Sequence, residues 1–343
     1  MNLRPLRTIA VPLLGFALVL TACSSHDSPP KKHHTAASPS PTATTSTPPP
    51  PPQPSHLAGR LGAPNGPVYA VKIDNTHNAH PQVGVSKADV VYIEQVEGGA
   101  TRLAAIYSSR YPTHVGPVRS GRITDIDLLR QYGDPVGLIY SGSQNKLADN
   151  LRRADLKLVS FDQDHTGYVR SPSRPQPYDV IGTFSVLRKR AGHVATPPVM
   201  GYTFSDTPPA GGRPVKNVTV TFPFSRVGAV WAAKKKVYQL WMDGAPDMAA
   251  EGGQLGATTF VVQLVTVKPS VYHDINGVNT PQTLTVGSGK ALIFRNGQEY
   301  VGAWSRPRAS AVTTYTIGGQ PAQFAPGQIW VALYDRTRQV VTR

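Results

Sequence analysis

The tract from Ser24 to Ser55 is built almost wholly from Ser, Thr, Ala and Pro with a few charges, and Pro48 to Pro52 form an unbroken proline run. Such a composition buries too little apolar surface to offset the entropy lost on ordering a backbone, and its prolines favour an extended chain. Folding is therefore expected from about Leu57 onward. Residues 23–57 read as a stalk, reaching up to roughly 100 Å at about 3.1 Å per residue. His26, His33 and His34 beside Lys31 and Lys32 admit a metal-binding reading, and equally that of a tail kept soluble by its polar residues.

Upstream, a basic start at Arg4 and Arg7 precedes an apolar run from Ile9 to Leu20. That run is shorter than the roughly 20 residues a bilayer span requires, and small residues follow it, as in a cleaved secretory signal. Leu20-Thr21-Ala22-Cys23 adds a lipobox, in which the cysteine at the first mature position takes up lipid. The expectation is a signal peptide over residues 1–22 and a lipid on Cys23 that holds the protein at the outer face of the cytoplasmic membrane. Cys23 is the only cysteine. Once lipidated, it leaves no thiol for a disulfide, a nucleophile or a Cys-ligated metal.

The formal net charge is +15, and +13 without Arg4 and Arg7. Outside the membrane the available anions are phosphate-bearing wall polymers, polyprenyl-pyrophosphate lipids and anionic headgroups, so location argues against nucleic acid as a partner. A generally basic surface without a specific ligand would carry the same charge.

Beyond Leu57, short runs rich in Val, Ile and Tyr are bounded by turn residues: Val68 to Ile73, Asp89 to Val96, Arg102 to Ser108 and Gly137 to Ser141 read as strands. Ile123, Ile126, Leu128 and Leu129, with Asp125 and Asp127 early in the run, predict a helix. Ser143 to Arg153 predicts another. Pro197-Pro198, Pro208-Pro209, Gly211-Gly212 and Pro214 mark a boundary. Val218 to Phe222, Val237 to Trp241, Thr258 to Val267, Ala291 to Phe294 and Ile329 to Leu333 read as strands, with a hairpin at Asn296-Gly297. The expected fold class is α+β: an N-terminal mixed α/β domain over 58–196, a linker over 197–215, and a mostly antiparallel β domain over 216–343. Trp231, Trp241, Trp304 and Trp330 all fall in the last region, as core residues or as a carbohydrate-stacking platform.

Polar residues concentrate between Lys72 and Asp127. Gly116-Pro117-Val118-Arg119-Ser120-Gly121-Arg122 is a glycine-containing, arginine-bearing loop leading into a predicted helix. Arg119, Ser120 and Arg122, with Arg102 nearby, suit a phosphate or pyrophosphate, using guanidinium forks and helix N-terminal amides. Asp74 and Asp89 near strand ends, with Glu94 and Glu97, could hold a hard cation such as Mg²⁺. The alternative is structural: Arg119 and Arg122 paired with Asp125 and Glu97 around a turn. Ser120 has no sequence-local His or acid arranged to activate it in a Ser-His-Asp set with His114 or His165, and His77 with His80 suits surface positions as well as a metal. No catalytic residue is singled out.

The order Val71-Lys72-Ile73-Asp74-Asn75, Pro81-Gln82-Val83-Gly84, Ala88-Asp89-Val90-Val91-Tyr92, Glu97-Gly98-Gly99-Ala100-Thr101-Arg102 and Gly116 to Arg122 resembles the YerB-like lipoprotein family, a domain of unknown function. Gly287 to Ala291, Arg295-Asn296-Gly297, Gly302 to Arg306 and Pro326 to Trp330 resemble its second domain. The resemblance covers residues 60 to 335 and implies a lipid-anchored envelope protein without naming a reaction. It departs at Pro177-Tyr178-Asp179-Val180-Ile181, where the family tends to have Pro-His-Asn-Leu-Tyr. Asp74, Lys87-Ala88-Asp89 and Pro117-Val118-Arg119 are also similar to motifs of the LytR-CpsA-Psr phosphotransferases, which tend to have Arg-Ser where Lys87-Ala88 stands. That likeness implies a cation on Asp74 and Asp89, a polyprenyl-pyrophosphate on Arg102, Arg119 and Arg122, and transfer of envelope glycopolymers. Three readings follow: a binder of a phosphate-bearing ligand, a metal-assisted phosphotransferase or phosphodiesterase, and an adaptor of cell-wall synthesis proteins.

Overall fold

Alternation along β1 (Tyr69–Asp74) sends Tyr69, Val71 and Ile73 to one face of a sheet and Ala70, Lys72 and Asp74 to the other. The computed structural model describes residues 51–343, which form one compact unit. The expected signal peptide, Cys23 and the expected stalk up to residue 50 lie outside the described residues. β2 (Val90–Gln95) and β3 (Thr101–Tyr107) form a hairpin, and β3 pairs antiparallel with β1 as well. β4 (Val136–Tyr140) adds parallel to β1, and β5 (Leu156–Ser160) parallel to β4. Parallel neighbours need a crossover. α1 (Ile123–Leu129) lies in the connection to β4, and α2 (Asn145–Arg153) in that to β5, with α3 (Phe184–Ala191) further on.

The C-terminal half supplies β6 (Asn217–Thr221), β7 (Arg226–Ala232) and β8 (Val237–Met242), an antiparallel meander. The strands β9 (Thr259–His273), β10 (Asn279–Leu284), β11 (Gly287–Arg295), β12 (Gln298–Arg306), β13 (Thr314–Ile317) and β14 (Ile329–Asp335) follow. The main path of the large sheet runs β13-β12-β11-β9-β14-β2-β3-β1-β4-β5, with β10 paired to β9 off that path. β14 is parallel to both of its neighbours, β2 and β9. The regions on either side of the expected 197–215 linker therefore share one sheet, joined through β14.

Strands account for 44% of the structure and helices for 13%, so the fold is strand-dominated with a mixed sheet. The expected N-terminal α/β character is confined to β1, β4 and β5 with α1 and α2. Two cores exist, but they are the two faces of the large sheet. One holds Val71, Ile73 and Val91 against Phe184 and Leu187 of α3 and Val220 and Leu240 of the small sheet. The other holds Ala70, Tyr92 and Ile106 against Leu128 of α1 and Leu147 and Leu151 of α2, together with Val331 and Leu333 of β14. Central strands buried on both faces are near-continuously apolar, as β3, β4 and β14 are.

Local chemistry accounts for several boundaries. Asn296 and Gly297 have φ of 52° and 73°, the conformation a two-residue hairpin turn requires, and they join β11 to β12. Trp304 and Trp330 are buried with indole N–H groups donating to the carbonyl of Leu264 and to Gln328, whereas Trp231 and Trp241 are half-buried. At the other end, Ser55 and Leu57 are already buried and the Gly59 N–H donates to the Ser55 carbonyl at 2.8 Å. Packing thus begins inside the segment expected as stalk, because the turn at Ser55–Arg60 supplies its own backbone bonds. No helix among the described residues is long and apolar enough to cross a membrane.

A cleft floored by arginines

The candidate site forms where the β1–β3–β2 face runs out of apolar side chains. Asp74 and Glu94 are both cross-strand partners of Arg102, so the three stand in a row across β1, β3 and β2, with Lys72 two residues back on the same face. All four are buried. The Lys72 ammonium pairs with Glu94 and, at 2.8 Å, with Asp125 at the start of α1. Asp125 also accepts the Arg122 N–H at 2.7 Å, which ties the helix start to the lysine.

The loop from Gly116 to Arg122 is strapped to the sheet. Asp74 N–H donates to the Pro117 carbonyl and Arg119 N–H to that of Lys72, while Ser141 N–H donates to the Arg119 carbonyl. Val118 N–H donates to Val180 and Gly121 N–H to Gly142. These bonds occupy the amides of Val118, Arg119 and Gly121, the Arg122 N–H is held by Asp125, and α1 is only seven residues long. Of the expected backbone cradle, those four N–H groups are already engaged within the protein.

The expected side chains converge. Arg102, Arg119, Ser120 and Arg122 line a single open cleft of about 850 Å³, with Glu97 beside them. Arg119 Nε donates to Asp74 Oδ2 at 2.8 Å, and Arg102 Nη2 stands 3.7 Å from the same oxygen. Arg122 grips Glu97 Oε2 with Nε at 3.0 Å and Nη2 at 2.6 Å, and the Thr280 hydroxyl donates to the other Glu97 oxygen. The structural alternative thus holds for Arg122 with Glu97, but Arg119 pairs with Asp74, and Asp125 serves Lys72. Arg102 differs from its neighbours: it is 4% exposed, and its Nε and Nη1 find no partner among the described residues.

Electrostatics follow from this crowding. Desolvation, then the charge of Arg122, lowers the Arg102 guanidinium to about 10, with Asp74 opposing and Arg119 adding to the effect. Burial alone would raise Asp74, but Arg102, the Thr76 hydroxyl and N–H, and Arg119 together hold it below its usual value. Burial raises Glu94 to about 7 against the pull of Lys72, helped by the charge of Asp125. Glu94 Oε2 also lacks a partner among the described residues.

The expected two-carboxylate cation site does not assemble. Asp74 ends β1, whereas Asp89 precedes β2 at the opposite end of β3, near Ile106 rather than Arg102, about 13 Å along the strand. Asp89 is occupied there: it pairs with Arg60 and accepts the N–H groups of Ser108 and Ser109 at 2.8 Å each. Among the described residues no three His, Cys, Asp or Glu side chains gather as a metal site. His77 is exposed and His80 bonds Asp247 at 3.0 Å. The histidine lining the cleft is His273, not His114 or His165.

Sequence reasoning missed the two walls. One is Gly142 to Asn145, leading into α2; the other is the tip of the β9–β10 hairpin, His273 to Asn276. Both lie outside the motif-bearing stretch, and only Asn276-Gly277 signalled a turn. At the family departure, Tyr178 places its ring 5.9 Å from the Arg119 guanidinium carbon, and Asp179 accepts two bonds from Arg170 at 2.8 and 3.0 Å.

A mixed sheet covered on both faces, with an arginine cleft where β1 ends, defines the class: a strand-rich protein with a polar, cationic pocket at a sheet end. Comparison places it further. The profile of the N-terminal domain of a protein of unknown function, DUF3048, matches residues 57–196, and that of the DUF3048 C-terminal domain matches residues 218–331. The chain belongs to this YerB-like family. YerB of Bacillus subtilis (strain 168), which carries lipoprotein in its name, is 26% identical over 272 residues, 76% of this chain and 79% of that protein. The crystal structure of Bacillus subtilis YerB matches 81% of this chain and 95% of its own with a TM-score of 0.70 at 22% identity, a likeness of fold.

Proposed function

We propose that this is a lipid-anchored protein of the cell envelope that binds a phosphate-bearing anion in the arginine cleft. The supporting observation is Arg102. A buried guanidinium with two unpartnered nitrogens is costly unless something accepts from it, and beside Arg119 and Arg122 the fitting acceptor is a multiply charged oxyanion. Polyprenyl-pyrophosphate lipids and anionic wall polymers carry such groups. Cys23 supports the anchoring, with the lipobox around it and a relative named as a lipoprotein.

The test is isothermal titration of the purified chain with inorganic pyrophosphate at neutral pH and low salt. Saturable binding is expected, weakened about tenfold or more in Arg119→Ala/Arg122→Ala, since charge-assisted hydrogen bonds contribute about 1.5–3 kcal/mol each. Unchanged affinity in that variant would remove the proposal. An adaptor role for cell-wall synthesis proteins needs neither arginine and would survive that outcome.

A further inference from the structure

Ten large apolar side chains stand exposed among the described residues, and three of them, Val271, Ile275 and Val278, fall within eight positions on the β9–β10 hairpin. Ile275 is 100% exposed and Val271 80%. This hairpin is the wall of the arginine cleft, and Ile275 itself lines it. The tip is a built turn. The Asp274 carboxylate accepts the N–H groups of Asn276 at 2.9 Å and Val278 at 2.8 Å, and the Asp274 N–H donates to the Val278 carbonyl. Its base is tied to α2, where Gln144 donates to the His273 carbonyl and Asn150 to the Tyr272 hydroxyl. A turn held this firmly presents Ile275 to solvent by design of its backbone, not through fraying.

An aliphatic group held in water at the mouth of a cationic cleft matches a ligand that is charged at one end and apolar at the other. Resting on the anion-binding reading above, we propose that the cleft takes a phosphate-headed lipid. The phosphate lies on Arg102, Arg119 and Arg122, and the apolar chain leaves over the hairpin across Ile275, with Val271 and Val278 extending the contact. A soluble wall polymer would find no use for these side chains. Ile275 lines the same cleft as the three arginines, which ties it to the same ligand rather than to a separate partner. Covering about 50–60 Å² of apolar surface corresponds to roughly tenfold in affinity.

The experiment compares three probes on the purified chain: inorganic pyrophosphate, farnesyl diphosphate below its micellar concentration, and phosphatidylcholine vesicles. Farnesyl diphosphate is expected to bind about tenfold more tightly than pyrophosphate. In Val271→Thr/Ile275→Asn the ratio of the two affinities, each measured on that variant, is expected to shrink to less than about threefold. Equal affinity for the two phosphates in the unaltered chain would overturn the inference while leaving the anion site standing. So would vesicle binding that the double variant abolishes without any preference for the farnesyl probe, since the hairpin would then be a membrane contact. Failure of pyrophosphate itself to bind would remove the anion-binding reading and this inference together.

Discussion

Glu94 and Arg102 face each other across the β2–β3 pair, and each keeps polar atoms without a partner: Oε2 of the glutamate, Nε and Nη1 of the arginine. Arg102 lines the cleft and Glu94 is buried beside it, so two groups of opposite charge with unused hydrogen-bonding capacity make stability and ligand affinity depend on the same protons.

Glu94 is raised from its ordinary value of 4.5 to about 7. A carboxyl whose folded-state pKa lies above its unfolded value stabilises the fold fully below the unfolded pKa, and that contribution is lost as pH rises through the folded one. Stability should therefore fall between about pH 4.5 and pH 7, by at most about 3 kcal/mol. Glu94→Gln should flatten this dependence in urea titrations across that range, since Lys72 keeps Asp125 at 2.8 Å.

The same proton should govern binding. Protonating Glu94 removes a negative charge opposite Arg102, so pyrophosphate should bind more tightly at pH 6 than at pH 8. Calorimetry on Glu94→Gln should show the tighter value at both pH values, apart from the ionisation of pyrophosphate itself.

Asp74 has the opposite sign. Its carboxyl is held below the ordinary 3.8, so its contribution is present above that value and lost as pH falls through the folded-state pKa. Asp74→Asn strips Arg102 and Arg119 of their shared carboxylate and should cost about 3–5 kcal/mol near neutral pH. Chemical denaturation would show the gap between variant and parent closing under strongly acid conditions.

Millimolar Mg²⁺ should leave the melting temperature unchanged to within about 1 °C, because a ligand stabilises only in proportion to its binding to the folded chain. The reason is geometric: Asp74 is engaged by Arg119 and Thr76, and Asp89 by Arg60, Ser108 and Ser109 at the other end of β3. A clear upward shift in a thermal scan would restore the cation site.

Gly297→Ala should cost more than Gly318→Ala. Both residues have positive φ, 73° and 57°, but a Cβ on Gly297 would stand 2.8 Å from the Trp231 indole nitrogen, whereas Gly318 has open space around it. Backbone strain alone costs about 1 kcal/mol, and the clash adds to it at Gly297. Denaturation midpoints of the two variants would rank them.

Much of the site was legible locally. Period-two alternation puts Lys72 and Asp74 on one face of β1, and the Arg119–Arg122 loop stands out by composition. The anion set Arg102, Arg119, Ser120 and Arg122 does share one cleft. Asp89 was misread because its distance from Asp74 in sequence says nothing about strand direction: β2 and β1 both run antiparallel to β3, which sends the start of one and the end of the other to opposite ends of the sheet. Of the backbone amides in that loop, those of Val118, Arg119 and Gly121 are engaged by Val180, Lys72 and Gly142, partners that local sequence does not reveal.

By itself, the sequence determined which faces its strands bury, where the Asn296-Gly297 hairpin turns and where lipid is expected, at Cys23. These are properties of composition and short-range periodicity, written within a few residues of each other. Only the tertiary structure decided that β14 enters between β2 and β9, that two expected domains share one sheet, and that His273 to Asn276 line one cleft with the arginines. Those pairings join segments about 70 to 240 residues apart, and burial of both sheet faces selects them where local pattern is silent about partners.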